Sequence, residues 1–132
     1  MNTFGYVLGS PLKYNDPIGL AASTIQCNGK GDYEVVNINK GCDKACTDAH
    51  ERSHIDDWKE RYGSGSCNNK TKGYLPLDGP NYSTFLEYSE CKAYRIGREC
   101  RQKLMGGGGC DCSANIKNDE NQMRGLGIKC PF

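Results

Sequence analysis

H-E-R-S-H at residues 50–54 is the most informative stretch of this 132-residue sequence. His50 and His54 are the only two histidines of the chain, and they are four positions apart. Residues i and i+4 lie on the same face of an α-helix, so both imidazoles can reach one metal ion. Glu51 lies about 100° round the helix from His50, where a general base for a metal-bound water must stand. The stretch therefore predicts a helix with a metal-dependent hydrolase site.

Zinc is the metal expected at this motif. Two neutral imidazoles and a carboxylate suit Zn²⁺, which keeps a fourth position open for water. The alternative is an exposed helix with two surface histidines, because charged side chains flank the motif. These side chains are Asp48, Arg52, Asp56, Asp57, Lys59 and Glu60. We favour zinc because the motif arises by chance in only roughly 0.3% of chains of this length.

The motif helix is predicted to span residues 43–62. Asp43 is a suitable N-cap, and Gly63 is a suitable stop after the last turn. A β region is expected between residues 21 and 41, where several side chains have high strand propensity. These are Tyr33, Val35, Val36 and Ile38. The sequence therefore predicts a short sheet before the motif helix.

A second helix is predicted for residues 83–105. Thr84 and Glu87 fit a capping box at its start, and apolar residues recur along it at helical spacing. This apolar stripe consists of Leu86, Ala93, Ile96, Cys100 and Leu104. Residues 63–82 before this helix and 106–132 after it lack periodicity and are predicted to be loops.

Glu90 is the expected third metal ligand. It falls at the edge of the apolar stripe, and a carboxylate on a buried face needs a cation or a metal to stay ionised. Glu87 lies about 60° further from the stripe and is the weaker candidate. An ion pair with a nearby Lys or Arg is the alternative role for Glu90. Gly97 lies within the stripe, where a glycine lets another helix approach closely.

The set of two histidines and Glu90 resembles that of the gluzincins, zinc peptidases that combine H-E-x-x-H with a glutamate from a later helix. The resemblance implies a small, helix-dominated α+β zincin-like domain with a short β-sheet. It also implies that Glu51 takes a proton from the attacking water and passes it to the leaving amine. Tyr94 and Tyr88 are candidates to stabilise the oxyanion, although packing is the other role open to each.

Nine cysteines predict disulfide-stapled loops and an oxidising environment such as the periplasm or the cell exterior. The odd number leaves at least one thiol free or paired with another molecule. A structural zinc site of thiolates is disfavoured because the chain has no C-x-x-C pair. Cys42 and Cys46 are close to one turn apart, so each is expected to pair with a different element.

Charge and hydropathy exclude two classes of partner. The net charge is +1, with 17 basic and 16 acidic residues, so no nucleic-acid-binding surface is expected. The chain has no apolar run that is long enough to span a bilayer, so no membrane insertion is expected. We also find no signal peptide with an apolar core segment.

The first 20 residues resemble the closing signature of the Rhs (rearrangement hotspot) repeat-associated core. The pattern consists of Asn2, Phe4-Gly5-Tyr6, Pro11, Tyr14 and Asp16-Pro17-Ile18-Gly19-Leu20. In that family this segment ends a large β-cage, and a variable toxin domain follows it. The resemblance implies that residues 1–20 end such a core and that residues 21–132 are a toxin domain. Self-cleavage in the family uses aspartates of two D-P-x-G copies, and only the copy with Asp16 is present.

Together these resemblances imply a secreted antibacterial toxin that acts as a zinc metallopeptidase on peptide bonds of a target cell. Delivery by type six secretion into an oxidising compartment such as the periplasm is expected. The expected partners are a protein or peptide substrate, a cognate immunity protein and the Rhs core shell before release. The alternatives are a zinc amidase acting on cell-wall peptides and a non-enzymatic, disulfide-rich binding toxin.

Overall fold

The computed structural model describes residues 23–131. Its elements are, in chain order, β1 (Thr24–Cys27), β2 (Tyr33–Val36), α1 (Lys44–Tyr62), α2 (Tyr82–Gly106) and α3 (Ser113–Arg124). This order confirms the small, helix-dominated α+β class with a short sheet. The Rhs-like segment at residues 1–20, with Asp16, lies outside the described residues.

The two strands form an antiparallel hairpin in which Cys27 pairs with Tyr33. Gly29 and Gly31 have φ values of +80° and +94° in the connection, a backbone region that glycine enters without a steric penalty. One face of the hairpin packs against α1 and forms the main apolar core. This core consists of Ile25, Cys27, Tyr33, Ile55, Trp58 and Cys67. The predicted strand residues lie in β2 except Ile38, which is exposed beyond its end.

α1 begins and ends where the sequence predicts. Asp43 occupies the N-cap position, and its backbone carbonyl accepts hydrogen bonds from the next turn. Its carboxylate, however, binds Nε of Arg101 at 3.0 Å and Nδ2 of Asn39 at 2.8 Å. Gly63 ends the helix with φ of +97°. Asp43 therefore joins α1 to α2 through its side chain in addition to starting α1.

The capping box predicted for α2 is wrong. The helix begins one residue earlier, at Tyr82, after Asn81 in a left-handed conformation with φ of +58°. Glu87 Oε2 accepts a hydrogen bond at 2.7 Å from the backbone N–H of Gly127. The carboxylate therefore binds the C-terminal segment, because that segment passes beside the first turns of α2.

The apolar stripe predicted for α2 is only partly correct. Ala93 is fully buried, but Leu86, Ile96 and Leu104 are half exposed. The buried residues of the helix are Ser89, Cys91, Ala93, Gly97 and Arg101. Apart from Cys91, which pairs with Cys130, they lie on the side that faces α1, and Asp57 and Thr47 of α1 accept hydrogen bonds from Ser89 and Arg101.

α3 replaces part of the loop predicted after residue 106. Its buried side chains are Asp119 and Met123, so the helix has almost no apolar periodicity to detect. Asp119 accepts two hydrogen bonds from Nη1 of Arg101, at 2.9 and 2.7 Å. A buried ion pair therefore attaches α3 to α2, and Met123 is the apolar side chain that α3 buries.

Four disulfides confirm the prediction of stapled loops. They join Cys27 to Cys67, Cys42 to Cys110, Cys46 to Cys100 and Cys91 to Cys130. Cys112 is the remaining cysteine of the described residues, and it is buried. Disulfides at this density indicate an oxidising environment, extracellular or periplasmic. Between residues 23 and 131, no helix is long and apolar enough to cross a membrane.

Candidate metal centre

Three side chains from α1 and α2 converge on one point. Oε1 of Glu90 lies 2.6 Å from Nε2 of His54 and 3.8 Å from Nε2 of His50. The three ligand atoms all lie within 4.8 Å of one another. The helical i, i+4 spacing brings the two imidazoles together, and α2 adds the carboxylate from the facing helix.

Gly97 lies where α2 faces His50 of α1. A Cβ atom placed on Gly97 would lie 3.7 Å from Cβ of His50, an ordinary van der Waals distance, and 3.0 Å from Nη1 of Arg101. Because Arg101 belongs to α2 itself, an added methyl group would shift its guanidinium and would not separate the helices. The role of this glycine in close helix packing stays a prediction.

The donor set fits a zinc ion. Two imidazole nitrogens and one carboxylate oxygen are the ligands of many catalytic zinc sites. Bonds of about 2.0–2.1 Å in a tetrahedron hold neighbouring ligand atoms about 3.4 Å apart. The observed separations of 2.6 and 3.8 Å lie on either side of this value. A small ion therefore requires only short side-chain movements.

Burial and mutual charge adjust the protonation of the two histidines. Burial and the neighbouring His54 lower the pKa of His50 to about 3. Burial lowers the pKa of His54 as well, but the carboxylate of Glu90 outweighs it and raises this pKa above its usual value. His50 is thus neutral at physiological pH, which is the form that binds a metal.

Glu51 lies beside the ligand atoms in a nearly closed environment. Its side chain is 9% exposed, and Oε2 lies 4.0 Å from Nε2 of His50. Burial raises the pKa of Glu51 to about 8, with a further contribution from the negative charge of Glu90. Without a metal ion this carboxyl group is therefore mostly protonated at neutral pH, and the positive charge of a bound metal would favour its ionised form.

Hydrogen bonds hold the far side of His54. Nδ1 of His54 lies 2.8 Å from Oγ of Ser89, which donates to Oδ2 of Asp57 at 2.7 Å. Nζ of Lys92 donates to the other oxygen of Asp57 at 2.9 Å. The imidazole of His54 is therefore oriented by side chains of both α1 and α2.

Aromatic rings border the site on two sides. The ring of Tyr94 meets that of His50 edge-on at a centroid distance of 4.7 Å. Trp58 lies edge-on to His54 at 5.9 Å, and its Nε1 donates to the carbonyl of Pro76 at 2.8 Å. Tyr88 is 61% exposed. Tyr94 thus lies next to a predicted ligand, and Trp58 joins the site to the loop before α2.

The structure separates the two glutamates considered as third ligand. Glu90 joins the histidines, whereas Glu87 binds the backbone of Gly127. Sequence reasoning missed Ser89 and assigned no role in the site to Asp57 or Lys92. Ser89 directly precedes Glu90 and Asp57 follows His54 by three residues, but their contact joins two helices and has no signal along the chain.

A second group of potential ligand atoms consists of the sulfurs of Cys42, Cys110 and Cys112, which also lie within 4.8 Å of one another. Cys42 and Cys110 form a disulfide, so their sulfurs do not carry the negative charge that binds a metal. We therefore assign this group to the disulfide framework.

Comparison with known proteins adds no assignment: no protein-family model, no curated protein and no solved structure matches the chain.

Proposed function

We propose that this protein is a zinc-dependent hydrolase that cleaves peptide bonds. One observation carries the proposal: the ligand atoms of His50, His54 and Glu90 lie within 4.8 Å of one another, with Glu51 beside them. Two imidazoles, a carboxylate and an adjacent buried glutamate are the parts that metal-assisted hydrolysis of a carbonyl compound requires.

Each side chain has a defined task in this proposal. A zinc ion held by the three ligands would supply Lewis-acid chemistry, which acidifies water and polarises a carbonyl. Glu51 accepts a proton from the attacking water and donates it to the leaving amine. Burial raises the pKa of Glu51, and the positive charge of a bound zinc ion would oppose this shift and favour the carboxylate that accepts the proton. Tyr94, in contact with His50, is the proposed hydrogen-bond donor to the oxyanion.

The proposed biological setting is that of a secreted antibacterial toxin. Two observations support it: the Rhs-like pattern of residues 1–20 and the disulfide framework, which suits the periplasm of a target cell. In this setting the substrate is a target-cell protein or a peptidoglycan peptide. A cognate immunity protein protects the producing cell, and the Rhs core shell encloses the toxin before release.

Glu51→Gln tests the mechanism. We expect the variant to retain one zinc ion per chain and to lose at least about 100-fold in rate, because general acid–base catalysis contributes 10²–10⁴-fold. Glu60→Gln is the matched control, an exposed glutamate on the same helix, and should keep full activity. Zinc is measured by elemental analysis of the oxidised full chain. Activity is measured on unfolded protein and on peptidoglycan fragments, with products identified by mass spectrometry.

Each result has a clear consequence. A parent protein that holds no stoichiometric zinc contradicts the enzyme proposal and favours a binding toxin. Full activity of Glu51→Gln would show that the glutamate is not the base. Release of products only from peptidoglycan amides would replace the peptidase assignment with that of a cell-wall amidase.

A further inference from the structure

The hydrogen bonds behind His54 have directions that follow from the chemistry of their members. Ionised Asp57 can only accept, so the hydroxyl of Ser89 donates its hydrogen to Oδ2 at 2.7 Å. A serine hydroxyl has one hydrogen, so Oγ must accept in its 2.8 Å bond with Nδ1 of His54. Nε2 of His54 faces Oε1 of Glu90 at 2.6 Å, an acceptor that calls for a proton on this nitrogen as well. A metal ion bound at Nε2 would replace that proton, whereas Nδ1 would keep its own because Oγ of Ser89 accepts it.

From this geometry we propose that Ser89 and Asp57 are positioning residues that hold His54 in the orientation and tautomer that bind a divalent metal through Nε2. The inference rests on the proposed function. It assigns roles to two residues that are not themselves ligands. Outer partners of this kind orient ligating histidines, and their loss typically costs 10–100-fold in metal affinity.

The surroundings of Asp57 support this role. Its side chain is 13% exposed, and Nζ of Lys92 holds its second oxygen at 2.9 Å. Lys92 offsets part of the negative charge and leaves Oδ2 directed at Ser89. The connected groups alternate between the helices, since His54 and Asp57 belong to α1 whereas Ser89 and Lys92 belong to α2. They could therefore serve helix packing alone, and the test must separate the two roles.

His50 offers a useful contrast. The α2 group that acts on its pKa beside Glu90 and Arg101 is the backbone of Ala93, which a side-chain substitution does not remove. The orientation of His54, by comparison, depends on two replaceable side chains. Substitutions at Ser89 and Asp57 should therefore change the metal affinity of a site whose three ligands are all retained.

Ser89→Ala is the first test. We expect zinc affinity to fall 10–100-fold, measured by competition with a chelator. Ser83→Ala, an exposed serine on the same helix, should bind zinc as the parent does. Ser89→Thr restores most of the affinity because it keeps the hydroxyl, and a role in packing alone does not predict this rescue.

Asp57→Ala is the second test, and it does not alter the buried position 89. Without its acceptor, the Ser89 hydroxyl is free to donate to Nδ1, which favours the tautomer that blocks Nε2. We expect a loss of zinc affinity of the same order as for Ser89→Ala. Asp56→Ala, its exposed neighbour, is the control.

In zinc-loaded parent labelled with ¹⁵N-histidine, the Nδ1–H signal of His54 should be visible, whereas it should exchange rapidly with water in Ser89→Ala.

The outcomes distinguish this inference from the function on which it rests. If the parent binds no zinc, both fail. If the parent binds zinc and both Ser89→Ala and Asp57→Ala bind it equally tightly, the positioning role is overturned while the proposed function stands. If the two variants lose only folding stability and keep the affinity and the Nδ1–H signal, the contacts serve helix packing.

Discussion

Glu90 and Glu87 lie on the same helix, three residues apart, but their carboxylates have different partners. Oε1 of Glu90 lies 2.6 Å from Nε2 of His54, whereas Oε2 of Glu87 accepts from the backbone of Gly127. Three residues rotate the helix by about 300°, so the two side chains point about 60° apart. This angle directs one carboxylate at α1 and the other at the C-terminal segment.

Substitution of the two glutamates separates their roles. Glu90→Ala should weaken zinc binding by more than about 100-fold, because the loss of a direct ligand should exceed the 10–100-fold typical of outer partners. Glu87→Ala should leave zinc affinity unchanged and loosen only the segment near Gly127. Chelator competition measures the first effect, and hydrogen exchange at Gly127 measures the second. Equal zinc affinities of the two variants would contradict the assignment of Glu90.

At the scale of elements, α2 connects the site to the rest of the fold. Its face towards α1 carries Ser89, Ala93 and Gly97, and further along Arg101 binds both Asp43 and Asp119. The buried face is defined by partners from other elements more than by apolar side chains. For this reason the apolar pattern located the helix correctly but placed Ile96 and Leu104 too deep.

Asp119→Ala should destabilise the protein by about 3 kcal/mol, because removal of one partner leaves Arg101 buried with part of its charge uncompensated. Glu120→Ala is the matched control on α3. It removes the more exposed ion pair with Arg98 and should cost less than about 1 kcal/mol. Chemical unfolding with the disulfides intact measures both. Equal losses of stability in the two variants would show that the buried ion pair contributes no more than the exposed one.

Across the whole molecule, disulfides join elements that are distant along the chain. Cys46–Cys100 links the two helices of the site, and Cys91–Cys130 fastens the C-terminal segment to α2. A chain of this size with a small core gains the stability of such staples. They also keep α1 beside α2 independently of a metal ion.

Cys112 is the free cysteine, and its sulfur lies within 4.8 Å of those of Cys42 and Cys110. Burial raises the pKa of the Cys112 thiol, so alkylation of the native protein should be slow and should become rapid on unfolding. In Cys110→Ser, we expect Cys42 to pair with Cys112, because the preceding glycines let the segment adjust. Non-reducing peptide mapping detects the new disulfide.

Cys112→Ser is the control and should keep the four disulfides of the parent. Two alkylated thiols at Cys42 and Cys112 in Cys110→Ser would contradict the expected pairing.

The sequence by itself determined the motif helix, the strand region and the presence of disulfides. These features are local: the i, i+4 spacing of His50 and His54, strand propensity, and the number of cysteines. The sequence also favoured Glu90 over Glu87 as the predicted third ligand, because a charged residue beside an apolar stripe is visible in the helical pattern.

Only the tertiary structure decided what depends on contacts between distant residues. The pairing of eight cysteines, the contact of Ser89 with His54 and Asp57, and the attachment of α3 by Asp119 all join separate elements. α3 escaped detection because an ion pair, and not an apolar face, attaches it to the fold. Periodicity records which side of a helix is apolar, but it does not record which polar groups find partners across a helix interface.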